Sequence, residues 1–492
     1  MKRKLTPILG WSSWNEFAVN INEKVITDQI DAICDLGLDK LGYEYVNIDD
    51  GWMKRRDANG NLIVDSDKFP NGMKIIADHA HKKGIKAGIY SDAGRMTCAS
   101  QAGDEKQGYN TCVGLYEHEE QDLRRFFAEW DYDFIKIDWC GGIRLGLDRK
   151  EQYSKIGKVI NEIEKEIDKD IVYNICSWRF PGAWAAEVAD SWRTAGDITA
   201  NFDSVVHQLE MVRPLAQYNG PGHVSDLDMM EIGRGMTDEE DKMHFSMWCM
   251  MSSPILLAMD LKKIRPETLA IVSNKELIDI QQDEACMMAR SVCKTNNFEI
   301  WLKPLGKLNG SEKAVAIINY EEIDREFVLP DNVSLADIGF RFVSSVRDLW
   351  AHRECSLCEK FVVPAHGVLI LKLCGEPEAL DYSAEDKESY IYDITTEKEF
   401  NPVRPAAMIQ LQKEENAVII DVRSPEEHNE NAPDGSINIA YTDVSKEFPK
   451  LVPDKSRTIV TFCQKGKRAY QAANDLSDAG YKYVYYCVVE KD

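Results

Sequence analysis

Short apolar runs alternate with amphipathic stretches through the first ~285 residues. The runs are Tyr43–Ile48, Lys86–Tyr90, Asp133–Ile137, Asp170–Ile175, Asp190–Arg193 and Pro254–Met259. Between them, Glu23–Leu36, Gly72–Lys83, His118–Glu129 and Gln152–Lys169 place apolar residues three or four apart with charges between, the spacing of helices that cover a core. Strand–helix alternation at this length predicts parallel βα units, and about eight of them predict a (β/α)8 TIM barrel over residues 1–285. From about Cys286 the pattern changes. Ala314–Ile318, Arg325–Leu329, Lys360–Val363 and Gly367–Lys372 are β-rich, with turn signals such as Asn309-Gly310 and no long helix. Residues 286–375 therefore read as an antiparallel β-sandwich. The acidic, polar stretch 376–399 reads as a linker. Beyond it, Val418–Asp421 and Thr458–Cys463 are strands flanked by helical stretches, a small α/β domain over 400–492.

A length of 492 residues agrees with several domains, and 44% hydrophobic content with 11 Trp allows a large core. The net charge of −24 disfavours nucleic acid and anionic membrane as partners. No apolar run reaches the roughly 18 residues of a membrane helix. Met1-Lys-Arg-Lys-Leu-Thr-Pro7 is basic but lacks an apolar signal core, so a cytoplasmic location is expected, or a secreted or periplasmic one if a leader has been removed. The 13 Cys are scattered and form no dense disulfide framework. Cys355-Ser-Leu-Cys358 is a lone CxxC, better read as a surface turn than as half a zinc site.

Charge interrupts the strands near their C-terminal ends, where TIM barrels carry their chemistry. Asp49, Asp50, Asp92, Asp138, Asp197, Asp226, Asp228 and Asp260 all fall there. Asp is common in loops and at helix caps, so any single one says little; their recurrence at one point of the βα unit says more. Trp11, Trp14, Trp52, Trp139, Trp178 and Trp192 lie beside the same ends. They are core residues or aromatic walls for a sugar. Two carboxylates across a glycosidic bond are the usual machinery of glycoside hydrolysis. Lys136 precedes Asp138 by two residues and faces the same side of its strand. A cation there is expected to lower the pKa of Asp138 and favour it as the ionised nucleophile. Arg193 stands four residues before Asp197, within reach of a hydroxyl or of the acid.

The first ~375 residues resemble glycoside hydrolase family 27, the α-galactosidase and α-N-acetylgalactosaminidase group. The resemblance rests on Leu9-Gly-Trp-Ser-Ser-Trp14, Asn47-Ile-Asp-Asp50-Gly-Trp52, Gly88-Ile-Tyr-Ser-Asp-Ala-Gly94, Phe134-Ile-Lys-Ile-Asp138-Trp-Cys140, Ser191-Trp-Arg-Thr-Ala-Gly-Asp197 and Asp226-Leu-Asp-Met229. It implies a barrel followed by a β-domain and a retaining mechanism, with Asp138 as nucleophile and Asp197 as acid/base. It also implies sugar contacts from Trp14, Asp49, Asp50, Tyr90, Lys136, Arg193 and Asp228, and a disulfide between Cys98 and Cys140. No cofactor or metal is required. The partner implied is a galactoside oligosaccharide or glycoconjugate.

Many α-galactosidases of the family carry Cys-Glu-Trp where this chain has Cys176-Ser177-Trp178. Ser177 resembles the galactosaminidase branch, where a small residue leaves space for a 2-acetamido group; Arg179 and Phe180 could refill it. The expected activity is α-galactosidase, with α-N-acetylgalactosaminidase and β-L-arabinopyranosidase as alternatives.

Asp421-Val-Arg-Ser-Pro-Glu-Glu-His428 and Cys463-Gln-Lys-Gly466-Lys-Arg468 resemble a rhodanese domain. The resemblance implies a persulfide on Cys463, held in a loop that includes Gly466 and Arg468. Backbone N–H groups and nearby cations of such a loop would depress the thiol pKa. A non-catalytic rhodanese-like module stays open. So does a protein of another class, a sulfur carrier or redox sensor whose barrel only binds sugar.

Overall fold

The computed structural model describes residues 5–102, 112–294, 297–329, 334–378, 402–403, 405–414, 416–455, 457–463, 467–481 and 483–488. From residue 379 the expected linker lies outside the described residues, as does Gly466. The chain forms two compact units, divided between Ser389 and Tyr390.

Eight parallel strands build the barrel: Leu9–Ser12, Tyr43–Asn47, Lys86–Asp92, Phe134–Asp138, Val172–Ile175, Ser191–Arg193, Val224–Asp226 and Ile255–Leu257. Neighbours in sequence are neighbours in the sheet, and the eighth pairs with the first. A bridge between Met230 and Leu257 joins the segment after the seventh strand to the eighth and closes the ring. The apolar runs locate six of these strands. The first and seventh, Leu9-Gly-Trp-Ser12 and Val224-Ser-Asp226, did not register as runs.

The expected helices form with small shifts. Glu23–Asp35 is capped by Asn22, whose side chain accepts from Val25 N, and Arg149–Ile167 by Asp148 in the same way. Glu119–Arg124 continues as a π turn, Arg125–Glu129. Asp238–Met250 was not evident from periodicity. Every residue from Met243 to Met250 is buried, because the helix is sandwiched between the barrel and the β-domain strands Glu312–Asn319 and Val368–Pro377. A helix covered on all sides has no polar stripe to give it away.

The β-domain is a six-stranded antiparallel sheet faced by the pair Arg325–Phe327 and Phe361–Val363. Alternation assigns its two sides. Ile300, Val315, Ile317 and Leu371 pack under Phe327 and Phe361, whereas Trp301, Ala314, Ala316, Ile318 and Ile370 join the barrel core. The CxxC lies in the turn between Arg353–Cys355 and Phe361–Val363, with Cys358 exposed. The second unit holds a five-stranded parallel sheet, covered on one side by Ile420, Phe448, Ala472 and Leu476 and on the other by Met408, Ile419 and Val460. Among the described residues, no helix is long and apolar enough to cross a membrane.

Candidate active site

The fourth strand sets the site. Ile135 and Ile137 are fully buried, and Lys136 and Asp138 alternate with them on the opposite face. Parallel pairing puts Tyr90 beside Lys136 and Asp92 beside Asp138. The Tyr90 hydroxyl donates to Asp138 Oδ2 at 3.1 Å, and Trp139 N donates to Oδ1 at 2.9 Å. A recess is lined by Asp49, Tyr90, Lys136, Arg193, Asp228 and Met229, among others.

Lys136 Nζ lies 2.9 Å from Asp49 Oδ2. The lowered pKa expected for Asp138 is therefore corrected. Burial pushes its carboxyl up to about 6, and Lys136, engaged with Asp49, pulls it only part of the way back. The charge of Asp197 adds to the rise, so the two carboxylates interact. Burial also raises Asp50 and Asp228 to about 6 each. Asp50 accepts from Ala99 N and Gly51 N at 2.7 Å, which ties the loop after the second strand to the Cys98 segment.

Asp197 stands on the loop after the sixth strand with its side chain 71% exposed, at an open mouth. Its backbone is held on both sides. Arg193 and Gln208 donate to Gly196 O, each at 2.8 Å, and Ile198 N donates to Asp228 Oδ2 at 2.9 Å. Arg193 Nη2 lies 2.7 Å from Asp228 and 3.3 Å from Asp197. The sequence reading missed Gln208. Its signal was faint, one amide on the helix side that also carries Val205, Leu209 and Val212, all of them buried.

The structure joins Cys98 to Cys140, with Cα atoms 5.7 Å apart. The loops after the third and fourth strands can meet there because both partners are glycine: a Cβ on Gly94 would lie 2.0 Å from the Gly141 carbonyl carbon. Asp92 accepts from Gly94 N and Gly141 N, so this acid braces the loops. Asp226 accepts from Asn174, and Asp260 caps Leu261–Lys263; both are structural. Trp11, Trp52, Trp139 and Trp192 are core, while Trp14 and Trp178 are half-buried. Ser177 is buried and donates to Arg179 O at 3.3 Å. Phe180 packs on Tyr218 and Trp192, with ring centroids 4.8 and 6.3 Å away.

Residues 6–283 match the alpha galactosidase A family. The chain belongs to that family. Residues 295–373 match the alpha galactosidase C-terminal β-sandwich domain, and residues 404–488 the rhodanese-like domain. The alpha-galactosidase A of Cellvibrio japonicus is 37% identical over 391 residues, covering 75% of this chain and 92% of that protein. Alpha-galactosidase I from Mortierella vinacea superposes with a TM-score of 0.68 at 29% identity, over 77% of this chain and 99% of that one. The Saccharomyces cerevisiae alpha-galactosidase solved with raffinose gives a TM-score of 0.63 at 26% identity, over 75% of this chain and 97% of that one.

In the rhodanese-like unit, Cys463 ends the central strand Thr458–Cys463 and is buried. Its Sγ accepts from Ala469 N at 3.2 Å, in the helix Lys467–Asp478. Arg468 forks onto Glu427 with two bonds of 2.7 Å.

Proposed function

We propose that this member of the α-galactosidase A family releases terminal α-linked galactose with retention of configuration. The observation that carries the reading is Asp138, hydrogen-bonded to Tyr90, which with Lys136 and Asp49 lines a recess at the barrel strands, with the charge of Asp197 close enough to raise the Asp138 pKa. Asp138 attacks the anomeric carbon. The C–O bond to the aglycone breaks, and Asp197 protonates the departing oxygen. A water then attacks the glycosyl-enzyme, Asp197 takes its proton, and Asp138 leaves as carboxylate. Asp49, Asp50, Lys136, Arg193 and Asp228 supply charged partners for sugar hydroxyls, and Trp14 an apolar wall. The relatives named above favour galactose over an N-acetylgalactosaminide or β-L-arabinopyranoside.

The test is a panel of nitrophenyl α-galactoside, α-N-acetylgalactosaminide and β-L-arabinopyranoside, with the first-formed anomer read by NMR. The α-galactoside should be cleaved fastest and give α-galactose first. Activity that survives unchanged in Asp138→Ala would sink this reading.

We also infer that the second unit transfers sulfane sulfur through Cys463. The thiolate attacks the outer sulfur of thiosulfate, sulfite leaves, and a persulfide remains for cyanide to take as thiocyanate. The hydrogen bond from Ala469 N, in the helix that follows, aims a donor at this sulfur. Thiocyanate formation by the wild type and none by Cys463→Ser is the expected result. Equal rates would leave a non-catalytic module.

A further inference from the structure

We propose that Arg234 and Glu231 are positioning residues that hold Trp14 in place for the sugar, a role that rests on the α-galactosidase reading above. Trp14 opens a helix of only four residues, Trp14–Phe17. Such a turn cannot hold itself: a nucleus that short is unfavourable in isolation. Ser13 makes no side-chain cap, and Ala18 at the other end has a left-handed φ of 44°. Support must come from outside.

Phe17 supplies some of it by packing on Trp11, with ring centroids 6.0 Å apart; the polar part comes from one guanidinium. Arg234 Nη2 donates to Asn15 O at 2.5 Å, Nε to Glu231 Oε2 at 2.7 Å and Nη1 to Ala258 O at 3.3 Å. Nη1 also meets the carboxylate of Glu16. Glu231, only 2% exposed, accepts in turn from the Asn15 amide. The loops after the first, seventh and eighth strands thus converge on Arg234. Two of its contacts fall on Asn15 and Glu16, next to Trp14. Glu231 follows Asp228 by three residues on the loop that also braces Ile198 beside Asp197. The clamp thus fixes the turn that carries Trp14 relative to the loop of Asp228, which lines the recess. It needs the planar, multi-donor fork of Arg; a Lys ammonium can reach one or two of these acceptors but not all.

A wall that slides by about 1 Å loses much of its value for a bound sugar. In Arg234→Ala, KM for nitrophenyl α-galactoside should therefore rise on the order of tenfold, while kcat changes less than about threefold. Ki for free galactose should rise in parallel, and Arg234→Lys should lie between Ala and wild type. The deciding measurement is a double-mutant cycle with Trp14→Ala. If Arg234 acts through Trp14, Arg234→Ala adds little to KM once Trp14 is gone. Additive effects, or an unchanged KM in Arg234→Ala, overturn the proposal. If Arg234→Ala does not fold, Arg234→Lys takes its place in the cycle under the same criteria. Wild type that cleaves no α-galactoside is a separate outcome, the failure of the functional reading itself.

Discussion

The Tyr90 hydroxyl donates to Asp138 Oδ2 across 3.1 Å in a buried setting. A hydrogen bond to a charged group contributes about 1.5–3 kcal/mol. It favours the ionised carboxylate, the form the proposed mechanism needs. Tyr90→Phe should raise the Asp138 pKa by about one unit and so lower kcat/KM about tenfold on the acid limb, below about pH 6, but only about twofold at pH 7. A pH–rate profile of the variant that overlays the wild type would show that the bond does not matter.

The wild-type profile should have its acid limb near pH 6. Asp138 is pushed up to about 6, chiefly by burial, and the protonated carboxyl cannot attack. As pH falls below that value, kcat/KM should drop about tenfold per unit. Asp50 and Asp228, also near 6, can steepen the fall. A limb at about pH 4 would mean that the site is better solvated than its burial implies.

The barrel was legible because six of its strands are apolar runs of the length that parallel strands need. The short strands at Leu9 and Val224 were not among them. The acids do gather at the strand ends of the barrel, but the sequence did not show their separate duties. Asp92, Asp226 and Asp260 brace loops and caps, and only three-dimensional partners reveal that. Lys136 was correctly placed beside Asp138. Its pairing with Asp49, 87 residues away in sequence, was not, because strand alternation gives direction within one strand and says nothing about which neighbour wins. Gln208 acts on a backbone carbonyl, and Arg234 partly so, on those of Asn15 and Ala258; such partners leave little trace in a sequence.

Asp138 is held at a cost to stability. A carboxyl raised from 3.8 to about 6 on folding stabilises the folded state fully below pH 3.8 and loses that contribution as pH rises through about 6. At neutral pH the penalty is about 3 kcal/mol. Asp138→Asn keeps the shape and removes the charge. It should abolish hydrolysis yet raise the melting temperature at about pH 7.5, with the gain vanishing towards about pH 4. A melting temperature equal to the wild type at both values would refute the burial argument.

Cys98 and Cys140 close a loop across 42 residues of sequence. Chain entropy alone assigns such a link about 4 kcal/mol. Cys98→Ser with Cys140→Ser should lower the melting temperature of the barrel and raise KM, since the link sits between the Asp50-bound Ala99 and the strand end that carries Asp138. Reduction of the wild type with a dithiol should copy both effects and leave the double variant unchanged. A reductant effect of equal size in the variant would trace it to other thiols.

In the second unit the pair to break is Asp421 and Arg423. Arg423 Nη2 lies 2.7 Å from Asp421 Oδ2, with side chains 3% and 0% exposed, and His428 lies 2.9 Å from the same oxygen. Burial works against the Asp421 charge, but Arg423 and His428 outweigh it and hold its carboxyl below the usual range. Removing one partner of a buried pair strands the other, at about 3–5 kcal/mol. Arg423 also donates to Asn431 through both of its Nη groups, so Arg423→Ala frees the helix Pro425–Asn431 that presents Glu427 to Arg468. The expected result is a lower unfolding temperature for this unit and loss of thiocyanate formation, with galactoside cleavage unaltered. Arg423→Lys should restore part of the stability but not the full fork onto Asp421 and Asn431. If both activities fall together, the lesion has spread beyond the rhodanese-like unit and the pair is not a local brace.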